Sequence, residues 1–186
     1  MDMERESQPK FTIDAMQPDE IEEATAMRLQ SWLDTYVNDD VGVTREWIES
    51  RNFWQQSPER QASRRERFLR GVDRGTFAAW VARDNEGRII GSTTPSIDEN
   101  GTQHVGSLYV DKKWHGTGVG AALMQKVIDW ADPTKPLELG VVAYNERAKV
   151  FYKKWGFVEL PDSEALFDGK IPEIKMIRRG DGQDEV

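Results

Sequence analysis

A short β-type run, Leu108, Tyr109 and Val110, leads into a turn holding Gly116, Gly118 and Gly120 and then an apolar helical segment. Few folds accommodate that succession. The helix it opens begins with amide N–H groups that have no intrahelical partner, and the aligned peptide dipoles make that end partly positive, so an anion is favoured there. Glycines remove the Cβ atoms that would hold a phosphate off those amides. Two nucleotide-binding patterns are not met in their strict form. No Lys followed by Ser or Thr follows the glycines, as a Walker loop requires. A G-x-G-x-x-G fingerprint begun at Gly116 or Gly118 would close on Ala121 or Leu123.

With 186 residues the chain is about one domain on the usual prior of ~150, long enough for a sizeable core. Its net charge of −8 gives no general pull toward nucleic acid or an anionic membrane. The absence of cysteine excludes a disulfide frame, a thiolate metal site and any acyl-cysteine intermediate, and no metal site is expected. Residues 1–10 are charged and polar without an apolar stretch, which argues against a signal peptide. No apolar run approaches the ~18 residues of a membrane span, so a soluble, cytoplasmic protein is expected. Residues 1–10 read as a disordered leader, 11–177 as a single domain, and 178–186 as a solvated tail.

Period and punctuation divide the domain. Residues 11–16 alternate like a strand, and Asp19 is placed to cap a helix whose apolar residues recur at helical spacing from Ile21 to Tyr36. Thr44 and Ser57 are caps for two further helices, the second with Pro58 in its first turn and Gly71 as its stop. That helix bears Arg60, Arg64, Arg65, Arg67 and Arg70; with Glu59 and Glu66 interspersed, they read as a solvated face rather than an RNA-binding patch. Trp32, Trp47, Phe53 and Trp54 are expected to be mainly core. Strands follow at 76–83, 88–97 and 102–110, joined by the turns 84–87 and 98–101. A helix over 118–132, a buried strand over 137–142, a helix capped by Asn145 and ended by Gly156, and strands at 157–160 and 170–177 complete the chain. The unit 104–142 pairs in parallel through its helical crossover. The expected class is α/β: a mixed, mostly antiparallel sheet flanked by helices.

The segment His115, Gly116, Thr117, Gly118, Val119, Gly120 resembles the [RQ]-x-x-G-x-[GA] turn of the GNAT superfamily of N-acetyltransferases, with His in the first place. A second block, Asn145, Ala148, Phe151, Tyr152, Gly156 and Phe157, is similar to that family's N-x-x-A-x-x-[FL]-Y-x-x-x-G-F segment at every defined position. The motifs cover residues 76–177. The resemblance implies acetyl-coenzyme A as cofactor, its pyrophosphate on the 116–121 turn, Ala121 included. Its pantetheine arm would lie between strands 102–110 and 137–142, against the main chain of Leu108, Tyr109 and Val110. Gly106, in mid-strand, then marks either the family's bulge or a packing glycine. Asn145 is a helix cap, a cofactor contact, or both. Tyr152 is expected to protonate the departing thiolate.

An alkyl ammonium of pKa ~10.4 must lose a proton before it attacks a thioester. His104 occupies the position of the family's usual glutamate, and histidine is a competent base near neutral pH; a water chain past Ser107 or backbone carbonyls are the competing routes. His115 is expected to orient the turn. The implied activity is direct transfer of acetyl, in a ternary complex, to a primary amine of a small molecule or peptide. Transfer of a larger acyl group and a non-catalytic coenzyme-A-binding module are the alternatives. Asp39, Asp40, Glu46 and Glu49 suggest a cationic acceptor or, more simply, a solvated acidic face. A homodimer is compatible with the sequence.

Overall fold

The computed structural model describes residues 11–182. The expected leader, 1–10, and the end of the expected tail, 183–186, lie outside the described residues. In chain order the elements are β1 (Phe11–Ala15), α1 (Ile21–Thr35), α2 (Arg45–Glu49), α3 (Pro58–Asp73), β2 (Trp80–Asp84), β3 (Ile89–Ile97) and β4 (Gln103–Val110). Then come α4 (Val119–Trp130), β5 (Leu137–Val142), α5 (Glu146–Lys154), β6 (Val158–Glu159), β7 (Ala165–Phe167) and β8 (Ile171–Arg178). The strands form one sheet in the order β1, β2, β3, β4, β5, β8, β6, with β7 also on β8. Every pairing is antiparallel except β4 with β5. This is the mixed α/β architecture expected. No helix among the described residues is long and apolar enough to cross a membrane.

Local chemistry sets most boundaries. Thr44 accepts from the Trp47 amide and Ser57 from the Arg60 amide, so both caps act as expected. In the hairpin turns, Asp84 and Asp98 each accept two backbone amides, which closes the loops without relying on backbone hydrogen bonds alone. Four boundaries differ from the sequence reading. Glu20, not Asp19, stands at the start of α1, and its carboxylate reaches back to the Gln17 amide at 2.6 Å. Gly71 does not stop α3, which runs on to Asp73; a Cβ there would lie 2.6 Å from Phe77 Cβ, so the residue is small because a neighbour packs on it. The strand β7 was not foreseen, because its residues are exposed and lack alternation. The last strand extends to Arg178, and Gly180 lies buried against Thr134 while the Asp181 amide donates to Pro133 O at 2.7 Å.

Burial follows the pleat. Val105, Leu139, Val141, Ile174 and Met176 point to one face and pack with Met124 and Val127 of α4 and Tyr152 of α5. Trp32, Tyr36, Trp54, Val142 and Ile171 form the principal cluster on the other face. There Trp32 meets Tyr36 and Trp54 edge-on at 5.0 and 5.3 Å, so those aromatics are core. Buried Gln103 pins the crossover: its Nε2 donates to Asp132 O and its Oε1 accepts the Asp132 amide at 2.7 Å, tying the end of α4 to the start of β4.

Candidate active site

The parallel pair is short. Register between β4 and β5 holds only where Gln103 faces Leu137 and His104 faces Glu138; beyond, the strands part. The cause is local. Thr94 of β3 pairs with both Gly106 and Ser107, a bulge that bends β4 away from β5. Gly106 has φ +68°, and a Cβ there would fall 2.0 Å from Thr94 O, so only glycine fits. Of the two readings of this residue the bulge is observed.

Into the parting opens a cavity of about 340 Å³. Gly106, Leu108, Tyr109 and Val110 of β4 form one wall, Gly140 and Val141 of β5 the other, and Tyr152 of α5 lies beside them. At one end stand His115, Gly116, Gly118, Gly120 and Ala121, and at the same end Asn145 and Arg147. The structure thus brings most of the sequence-predicted residues to one cavity; Thr117 and the buried Val119 belong to the same turn but not to its wall.

The turn has the electrostatics of an anion site. Gly118 precedes α4 with φ +96° and no side chain caps the helix. Among the described residues the first amide here with a helical partner is that of Ala122, on Gly118 O at 2.9 Å, so the amides of Val119, Gly120 and Ala121 stay available. His115 Nε2 donates to Val110 O at 3.0 Å, which leaves Nδ1 facing the Arg147 guanidinium. Burial lowers the His115 pKa and the nearby Arg147 lowers it further, so the ring is neutral at pH 7 and its Nδ1 accepts from Arg147. His115 therefore positions a cation beside the turn. The sequence reading missed Arg147, whose place in an unassigned position of the second motif gave no signal. Asn145 caps α5, accepting the Ala148 amide at 3.1 Å.

Tyr152 is buried with its ring edge-on to Phe151 and Phe157 at 5.4 and 5.8 Å. Its hydroxyl has no hydrogen-bond partner among the described residues, and burial raises its pKa far above the usual phenol range, so it is a proton donor throughout neutral pH. His104, by contrast, is on the wall of neither large cavity, and its Nε2 is held by Asp98 at 3.1 Å. The structure does not bring it to the parting. A carboxyl that sequence reading passed over is closer in kind to what the site lacks. Glu173 of β8, like His104 on neither wall, faces the side opposite Ile174 and reaches the wall through Gly140, where its Oε2 would lie 3.1 Å from a Cβ. Burial raises its pKa above the ordinary carboxylate value. Only alternation within 170–177 could have shown which face it takes.

A mixed sheet parted beside an uncapped, glycine-preceded helix start, with the Tyr152 phenol on the wall, has the architecture of an acyltransferase. The chain belongs to the GNAT acetyltransferase family, whose domain model matches residues 32–178. An uncharacterized N-acetyltransferase of Mycobacterium tuberculosis is 39% identical over 75 residues, 39% of this chain and 48% of that protein, so the match spans about half of the relative's length. The PaiA N-acetyltransferase of Thermoplasma acidophilum, solved with coenzyme A, superposes with TM-score 0.71 at 17% identity over 91% of this chain and 98% of its own. A ribosomal-protein-S5-alanine acetyltransferase of Vibrio fischeri does so with TM-score 0.70 at 16% identity, covering 96% and 98%. At such identities the likeness is one of fold.

The turn yields a direct expectation. Gly118→Val places a β-branched residue at positive φ in front of the free amides, so affinity for acetyl-coenzyme A should fall at least about tenfold while the fold persists. Calorimetric titration of the folded variant checks this; unchanged affinity would remove the turn from the site.

Proposed function

We propose that this chain is an N-acetyltransferase that moves acetyl from acetyl-coenzyme A directly to a primary amine of a small molecule or peptide. The observation that carries the reading is the gap between β4 and β5, which has free helix amides and Arg147 at one end and the unpartnered Tyr152 hydroxyl on its wall. These residues suit a thioester cofactor with a phosphate-bearing tail: amides and guanidinium for the anion, parted strands for an extended arm. When bound, acetyl-coenzyme A supplies an acetyl group activated as its thioester.

This chain's residues then manage protons. Glu173 first takes the ammonium proton, directly or through one water, which frees the nitrogen lone pair for attack; Tyr152 then gives its proton to the leaving sulfur and regains one from the nitrogen as the amide forms. Burial supports both roles, since it makes the Glu173 carboxylate more basic and keeps the Tyr152 phenol protonated.

Calorimetry with acetyl-coenzyme A followed by thiol release across an amine panel tests the function; binding with no turnover on any amine would leave a coenzyme-A-binding module. The pH profile tests the base. Glu173 accepts a proton only when ionised, so kcat/KM should climb as pH rises through its raised pKa. Glu173→Gln should lose that limb and at least about 10²-fold in rate, with His104→Ala keeping both. The reverse result would return the base role to His104.

A further inference from the structure

A second cavity, of about 640 Å³, lies between α1, α3 and β3. Ser107 is on its wall, whereas the adjacent Gly106 is on the wall of the first cavity, so the bulge in β4 partitions the two. The apolar lining comes from Met16, Ile21, Phe53, Phe68 and Phe77. Its charged lining is arginine alone: Arg28, Arg60, Arg64 and Arg67, with no Asp or Glu on the wall. In a chain of net charge −8 that is a local inversion of sign.

The four arginines are not equivalent. Arg64 is fully engaged, donating to the Glu22 carboxylate at 3.0 Å and to the carbonyls of Phe53 and Gln55 at 2.9 and 2.6 Å. It staples the loop before α3 to α1. Arg28 has no such company. Its guanidinium lies 5.3 Å over the Trp54 ring, its Nε is shut off from water, and no acceptor among the described residues meets that nitrogen. Burial lowers its pKa, the Tyr109 phenol opposes that, and Arg64 adds to the lowering, with burial the largest effect. Arg60 and Arg67 are exposed, and among the described residues neither has a carboxylate within ion-pair distance. Helical spacing puts Arg60, Arg64 and Arg67 on one face of α3, while Arg65 and Arg70 are off the cavity wall. Of the arginines read from sequence as a solvated face, Arg64 alone is half-buried, and the exposed ones divide between those that line the cavity and those that do not. A half-buried guanidinium whose Nε is shut off from water with no acceptor is costly, and a cavity that keeps one is complementary to an anion brought from outside.

We propose that the acceptor is a small primary amine that also carries a carboxylate or similar oxyanion. Arg28 holds the oxyanion inside the cavity, Arg60 and Arg67 attract it at the mouth, the phenylalanines cover its apolar part, and its amine points toward the bulge at Ser107. This rests on the N-acetyltransferase reading and deepens it. It also reverses the sign suggested by Asp39, Asp40, Glu46 and Glu49, none of which lines either cavity.

The test compares matched amines: a set of α-, β- and γ-amino acids, the amide of each, and the amine lacking the carboxyl group altogether. Thiol release from acetyl-coenzyme A gives kcat/KM, and calorimetry on the coenzyme-A-loaded protein gives Kd for the same compounds. The free carboxylates should be preferred over both neutral partners by about tenfold or more, and added salt should shrink the preference. Arg28→Gln should abolish it and leave the KM for acetyl-coenzyme A unchanged. Because Arg28 also packs on Trp54, a second arm avoids the interior: R60E with R67E should cut carboxylate kcat/KM about tenfold, and R65E with R70E, the same charge change off the wall, should not. Amides reacting or binding as well as the acids, or a preference that survives both sets of variants, would overturn the proposal while acetyl transfer stands. Carboxylates preferred in binding with no amine turned over would instead remove the transfer reading and keep the oxyanion site.

Discussion

Tyr152→Phe is expected to lower kcat by about 10²-fold or more with little change in acetyl-coenzyme A affinity, the loss typical of a positioned general acid. The substitution keeps the ring and its edge-on contacts to Phe151 and Phe157, and removes only the hydroxyl. That hydroxyl has no partner among the described residues, so its removal strands no buried acceptor there and should change folding stability by less than about 1 kcal/mol. In the parent enzyme the raised pKa puts deprotonation of Tyr152 above the usual phenol range near pH 10, so activity should not decline below that pH on its account. Steady-state kinetics from pH 6 to about 10 with a thermal melt reads all of this. A variant within twofold of the parent kcat, but less stable by ~1 kcal/mol, would show that the hydroxyl serves the core and that the thiolate finds its proton elsewhere.

The second large effect is on the fold itself. Gly106→Ala should destabilise the protein by about 2–4 kcal/mol, because the methyl group meets Thr94 O at 2.0 Å and the residue must also hold φ +68°. Relief requires β4 to straighten, and a straight β4 would extend its pairing with β5 and narrow the gap. The variant should therefore lose cofactor affinity beyond what its lower stability accounts for, measured by titration at a temperature where it is fully folded. Urea unfolding within ~0.5 kcal/mol of the parent would mean that the bulge tolerates a side chain and does not fix the parting.

What could be read from the chain beforehand divides along physical lines. The strands and helices that pass through the core were legible because burial leaves a period: β5 carries Leu137, Leu139, Val141 and Val142 directly after Pro136, and its limits came out at Leu137 and Val142 as expected. The glycine turn was legible because backbone geometry restricts residue type. Three things left no such trace. The strand β7 has no buried face, so no alternation announces it. Whether His104 or Glu173 faces the gap depends on where the bulge resets the pleat and on how β8 registers against β5, both long-range facts. The arginines of α3 have the composition of a solvated helix, and only the docking of α3 over α1 decides which of them look inward.

The short ladder between β4 and β5 means that the sheet is nearly two sheets, β1 to β4 and β5 to β8, riveted at one end by two rungs and by Gln103. Past the rivet, main-chain donors and acceptors along β4 face a gap instead of a strand, and such groups bond to water or to whatever extended molecule enters. A ligand lying in that gap acts as a missing strand, so it is part of the scaffold while it is a reagent. By mass action, ligand at a hundredfold excess over Kd adds ~2.7 kcal/mol of stability. On the proposed reading that acetyl-coenzyme A is that ligand, its supply should govern how long each molecule survives local opening, and a protein starved of it should be the shorter-lived one.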